Sequence, residues 1–238
     1  MPMGGGEGAG QPPVPERRAH REQDALWAEV LKLASTVEAA LTASIQALRE
    51  GRADLAAVVK GRRDSIDDEA HRIEKECLRI LARYDPTASD LRRMITVLKV
   101  GDDLERLANQ AVHVAKKAEK LLRDPNTVPV PGSLTDLSAR VMDSARKSLD
   151  ALATGDAGSA RAVITVDHEI GRECRSLRKE LKHRIGQEPV RSTYLLRMMS
   201  LTRNLEHIAD HTSRIAASVI YMKEGTIVHG VEGPTPLA

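Results

Sequence analysis

Glu206 and Asp210 stand four residues apart late in the chain, with no Lys or Arg between them on that stripe. On a helix, residues four apart are surface neighbours, and like charges there repel by roughly a few tenths of a kcal/mol. A bound cation removes that penalty, and all-oxygen sites suit Mg²⁺, Ca²⁺, Mn²⁺ and iron. Further ligands would have to come from neighbouring segments. One segment carries Asp64, Asp67 and Asp68, and another carries Asp167, Glu169 and Glu173. Glu105 and Asn109 repeat the four-residue spacing earlier in the chain. The competing reading is a solvated acidic edge with Arg or Lys partners across the fold. Periodicity alone favours that second reading, because charge on a helix shoulder is ordinarily surface.

Other chemistries find less support. His207 and His211 are four apart and at that spacing could hold zinc. The stretch reads EHIADH, however, whereas the metalloprotease pattern is His-Glu-x-x-His, so exposed histidines are expected. Asp68-Glu-Ala-His71 is one acidic-x-x-His element. Ferritin-like di-iron enzymes need two Glu-x-x-His elements and two further Glu, a set the chain does not supply. There is no Gly-rich phosphate loop and no nucleophile elbow. A non-enzymatic role is therefore expected. A carboxylate-bridged metalloprotein, for storage or oxidase-like, and a metal-free helical adaptor are the alternatives. Cys77 and Cys174 are too far apart in sequence for a metal pair and read as buried free thiols of a reducing compartment.

The elements that must position these acids follow from composition. The 238 residues include no Phe, one Trp and three Tyr, with 29% charged residues. An aromatic-poor, Leu- and Ala-rich chain argues for long helices and against large β-sheets or stacking on bases. The net charge is +2, from 36 basic and 34 acidic residues, which excludes a strongly basic nucleic-acid binder. No apolar run is long enough to span a bilayer, and the first residues lack a secretory core, so a cytoplasmic protein without membrane insertion is expected.

Apolar residues recur at helical spacing in six runs. The first is about 22–50, closed by Gly51; the second about 54–84, broken by Asp85-Pro86; the third about 88–123. After a stretch with three prolines, DPNTVPVPGSLTD, the pattern restarts at about 134–153, 157–185 and 192–224. The halves match in detail. VVKGRRDSIDDEAHRI aligns with AVITVDHEIGRECRSL, pairing Val59 with Val163 and Ile66 with Ile170. DDLERLANQAVHVAKKA aligns with RNLEHIADHTSRIAASV, pairing Leu104 with Leu205, Glu105 with Glu206 and Asn109 with Asp210. The expected fold is all-α: two tandem antiparallel three-helix bundles made by internal duplication. The expected boundaries are a Gly/Pro-rich tail over 1–21, bundles over 22–124 and 134–230, a linker over 125–133, and a C-terminal tail over 231–238.

LERLANQAVHVA, LEHIADHTSRIA, the ending VIYMKEGTIVHG and the stretch PTASDLRRMITVLKVGDDLER resemble the PhoU family of phosphate-signalling regulators. The resemblance runs from about Glu22 to Gly230. It implies a repressor of the phosphate-starvation response that bridges the ATP-binding subunit of a phosphate transporter and a sensor histidine kinase. A homodimer is expected, as symmetric pairing is the commonest assembly. The family is similar to proteins that hold metal through a Glu-or-Asp-x-x-x-Asp motif in each bundle. That motif falls on Glu206 and Asp210, and on Glu105 and Asn109, where the last acid has become an amide. Arg63 replaces an acid of the pattern on the second helix, beside Asp64 and Asp67. The fifth helix keeps Asp167 and has Gly171 for the later acid. The resemblance thus implies unequal sites for a divalent or trivalent ion (iron, zinc, manganese or magnesium), working in the second bundle and weakened in the first.

Overall fold

The computed structural model describes residues 14–124, 130–229 and 232–236. Its helices are α1 (Val14–Glu50), α2 (Ala53–Tyr84), α3 (Ala88–Leu122), α4 (Gly132–Thr154), α5 (Ala157–Gln187) and α6 (Ser192–Glu224), with a short 3₁₀ turn at Pro189–Arg191 before α6. α1, α2 and α3 pack together, as do α4, α5 and α6. Proline- and glycine-bearing breaks separate the helices as the sequence predicts.

Two boundaries differ from expectation. α1 already runs at Val14, so 14–21 belong to the helix and not to the tail. Pro15 causes no break there, because a first-turn N–H has no intrahelical partner to lose. At the other end α6 stops at Gly225, and a hairpin follows instead of an extended tail. In it β1 (Thr226–His229) pairs antiparallel with β2 (Glu232–Pro236), setting Thr226 opposite Pro236 and His229 opposite Glu232. The β-branched run Thr226-Ile227-Val228 favours strand once the helix has been closed, and Val228 packs against the core. The expected tail over 1–13 lies outside the described residues, as does the core of the linker, 125–129.

The bundles lie side by side. α3 runs antiparallel to α6, with Thr96 near Ser218 at one end and Asp124 near Arg197 at the other. α1 also touches α4. One continuous apolar core spans both halves. Small side chains are frequent among the buried positions of α3 and α6, where Ala108, Ala111, Ala115, Ala118, Ala209 and Ala216 are all buried, as suits tight helix packing in a chain without phenylalanine.

Polar pairs pin the seam between α3 and α6. Asp103 meets His211 at 3.0 Å and Arg214 at 3.1 Å. The Asn204 amide donates to Gln110 Oε1 at 2.7 Å, and Lys117 also reaches Asn204 Oδ1. In the repeat alignment Asp103 corresponds to Asn204 and Gln110 to His211. The two pairs are therefore the same contact made twice about an internal two-fold. Among the described residues, no helix is long and apolar enough to cross a membrane.

Candidate functional site

The acids singled out by spacing lie where α5 meets α6 and where α2 meets α3. α5 is started by Asp156, whose side chain accepts from the amides of Gly158 at 2.8 Å and Ser159 at 3.2 Å. Its apolar positions Val163, Ile170, Cys174 and Leu177 face inward, which leaves Asp167 half-buried on the α6 side.

There Asp167 feels its neighbours. Burial, first, and then the charge of Asp210 push its carboxyl above the ordinary range; Glu206 adds to this, while His168 and the Ser213 hydroxyl oppose it. The fold thus brings Asp167, Glu206 and Asp210 within electrostatic reach of one another. Each has a different local partner. Glu206 receives Arg178 of α5 on both oxygens, at 3.2 Å for Nη2 to Oε1. Asp210 is exposed and faces His207 at 3.5 Å.

The first half is occupied differently. Arg63 donates through Nε to Asn109 Oδ1 at 2.8 Å and pairs with Asp67 at 3.2 Å and Asp64 at 3.7 Å. A guanidinium thus links Asp64, Asp67 and Asn109. The Asp64 side chain is 93% exposed. Asp67 is mostly shielded, and its Oδ1 is buried with no hydrogen-bond partner. Glu105 lines a small cleft of about 100 Å³ together with His71 and Glu74. The His71 ring holds its proton more firmly than usual, mainly through its bond to the Asp67 carbonyl at 2.7 Å, and then through Glu105.

The donor sets can be tested against a cation. Among the described residues, no three His, Cys, Asp or Glu side chains converge as a ready metal-binding group. The first half does not fit, because Arg63 already supplies positive charge to Asp67 and an amide has replaced one acid. In the second half, Asp167, Glu206, Asp210 and the Ser213 hydroxyl are oxygen donors of the kind a hard cation takes, near one another but not gathered into a ready site, and Arg178 already neutralises Glu206.

Several details escape a one-dimensional reading. His211 is not exposed; its side chain is 12% accessible and sits against Asp103, itself 4% accessible. Position 211 faces the partner bundle, a surface that helix periodicity within one bundle cannot see. Asp103 was equally invisible, although an acid directly before the interior Leu104 is a signal worth heeding. One Glu-x-x-His element does exist, Glu180 to His183 on α5, but His183 is engaged with Gln187 at 3.0 Å. Cys77 and Cys174 are free and buried; burial pushes their thiols up to about 11 and about 12.

Comparison with known proteins sets this architecture among relatives. The family model described as the PhoU domain matches twice, over residues 30–118 and 134–219. The "Phosphate-specific transport system accessory protein PhoU homolog" of Pseudomonas aeruginosa is 31% identical over 210 residues, spanning 88% of this chain and 87% of that one. The protein of the same name from Pseudomonas putida is 32% identical, over 87% of this chain and 81% of its own. The crystal structure of PhoU from Pseudomonas aeruginosa superposes with a TM-score of 0.83 at 32% identity, covering 87% of this chain and 99% of that chain.

Proposed function

The chain belongs to the PhoU family, and from that membership we propose that it is a regulatory accessory protein of a phosphate transport system. The observation that carries this reading is the PhoU domain matched in both halves, on a fold with the same two bundles. The finer reading is a non-enzymatic, cytoplasmic adaptor. It docks on the ATP-binding subunit of the transporter and on a sensor histidine kinase, and represses the starvation response when phosphate is plentiful. Charged outer faces on long helices suit such docking, since each helix presents a continuous polar surface outside the shared core. Switching between the two partners requires different affinities for two states of the system.

Pull-down of the purified ATP-binding subunit and of the kinase by the full chain tests the docking. Both are expected to be retained, and capture of neither would refute the adaptor reading. Deletion of the gene is expected to raise phosphate-uptake gene expression in phosphate-rich medium; unchanged expression would refute the repressor role.

A metal-dependent refinement is favoured by one observation, the crowding of Asp167 by Asp210 and Glu206. We propose that these three residues hold an exchangeable divalent or trivalent ion, in competition with Arg178. An ion bound there would supply positive charge that offsets the repulsion among the three carboxylates. Glu206→Ala/Asp210→Ala is expected to lose metal retained by the parent protein, while Arg178→Met is expected to gain it. In the first half, Arg63→Asp/Asn109→Asp is expected to create binding that the parent lacks. Elemental analysis after dialysis checks all three, and equal metal content throughout would sink the assignment.

A further inference from the structure

Both halves meet at one end of the molecule around a cleft of about 420 Å³. Its walls include Trp27 of α1, the first turns of α3 with Asp90, Arg92 and Arg93, the end of α4 at Gly155, and the last turn of α6 with Lys223. Three cations and one carboxylate thus line it. Two of these charges are already used. Asp90 faces His20 at 3.2 Å, and Arg93 binds Asp24 at 2.6 Å while lying over the Trp27 ring at 5.4 Å.

Arg92 and Lys223 are different, since neither has an acidic partner among the described residues. Arg92 Nε is buried with no hydrogen-bond acceptor at all. A glycine at the end of α4 makes room for the lysine, and Arg92 packs at ordinary contact distance beside the glycine that ends α6. A Cβ on Gly155 would fall 2.1 Å from Lys223 Cε and 2.7 Å from its Nζ, so this lysine lies directly across the glycine. A Cβ on Gly225 would sit 3.7 Å from Arg92 Cδ. The negative ends of the α4 and α6 dipoles explain why cations sit there. They leave Arg92 Nε buried without an acceptor, an unfavourable arrangement that marks this guanidinium as short of partners.

A tetrahedral oxyanion in the cleft meets the outer nitrogens of this half-buried guanidinium, since the Nε itself is shut off from solvent. It offers several acceptor oxygens to the planar fork of an arginine and negative charge to a lysine. The cleft volume is within the range of small-molecule sites. We propose that this cleft binds a phosphate-class oxyanion, free or carried on a small phosphorylated molecule, with Arg92 and Lys223 as its direct partners. One partner comes from each half, so an occupied cleft ties the two bundles together. The site does not depend on the regulatory reading, because it concerns direct binding by the isolated chain.

Trp27 is the single tryptophan of the chain and lines the cleft, so its emission reports on occupancy. The full chain is titrated with inorganic phosphate and, separately, with ATP, at ionic strength held constant with chloride. Emission and heat are recorded together. A saturable response below about 10 mM is expected for at least one of the two. A response to phosphate identifies the free oxyanion, and a response to ATP alone identifies a phosphorylated small molecule. Arg92→Met and Lys223→Met are each expected to weaken binding by at least about tenfold with helix content unchanged. Lys75→Met, in the separate groove between α1 and α2, is expected to leave it as it was. Absence of saturable heat with both anions, or equal affinity in the cleft variants, overturns the proposal. Should Arg92→Met fail to fold, the exposed Lys223 decides alone.

Discussion

Asp167 binds its proton more tightly in the folded chain than it would unfolded, because burial and Asp210 disfavour its charge. A carboxyl with a raised folded value favours the folded state most at low pH. That contribution is lost as pH rises from the ordinary carboxylate range through the raised value. In metal-free protein near neutrality, the ionised Asp167 is therefore destabilising. Asp167→Asn is expected to raise the urea midpoint at pH 7 and to leave it nearly unchanged at pH 3. A lower midpoint at pH 7 would show that its bond to Ser213 matters more than the repulsion. Which acids share a helix edge was legible beforehand, since the four-residue spacing and the repeat place Glu206 and Asp210 by themselves. Which arginines answer them was not. Arg178 on Glu206 and Arg63 on Asn109 depend on the rotation of one helix against another, and a sequence pattern carries only the rotation of each helix about its own axis.

At the scale of elements, the helix ends carry the information. The six helices were readable because aliphatic periodicity, glycine stops and the Asp85-Pro86 break agree with one another. What was missed lies where composition misleads: Pro15 looked like tail although a proline fits a first helical turn, and the short run after Gly225 was too brief to stand out as a strand. Gly155 closes α4 with φ +67°, in the left-handed region that side chains disfavour. Gly155→Ala is expected to cost about 1–2 kcal/mol for that conformation alone. In a chain of this size the loss lowers Tm by roughly 2–4 °C per kcal/mol. Shortening the overlying side chain with Lys223→Ala is expected to relieve the added steric clash but not the backbone cost. Thermal denaturation of the two variants and their combination separates these effects, and full recovery in the double variant would contradict the backbone explanation.

At the scale of the molecule, the halves do not behave as separate beads on a linker. Their core is continuous across the two halves, with α3 packed on α6, so severing the chain would bare apolar surface on each piece. Fragments 14–124 and 130–236, expressed together, are expected to co-purify as a pair, and each alone to self-associate or aggregate. Two stable, independent monomers by light scattering would rule out an obligatory seam. The seam also has a history written in its polar contacts. Asp103 with His211, and Gln110 with Asn204, occupy equivalent places about the internal two-fold. In a dimer of identical chains, any change on one side of such a contact is imposed on the other. Fusion into a single polypeptide abolishes that obligation: one copy can become ionic while its mirror stays neutral. The same liberty lets Arg63 fill one acidic edge while its counterpart, Asp167, remains a carboxylate, so duplication freed the two halves to differ in charge.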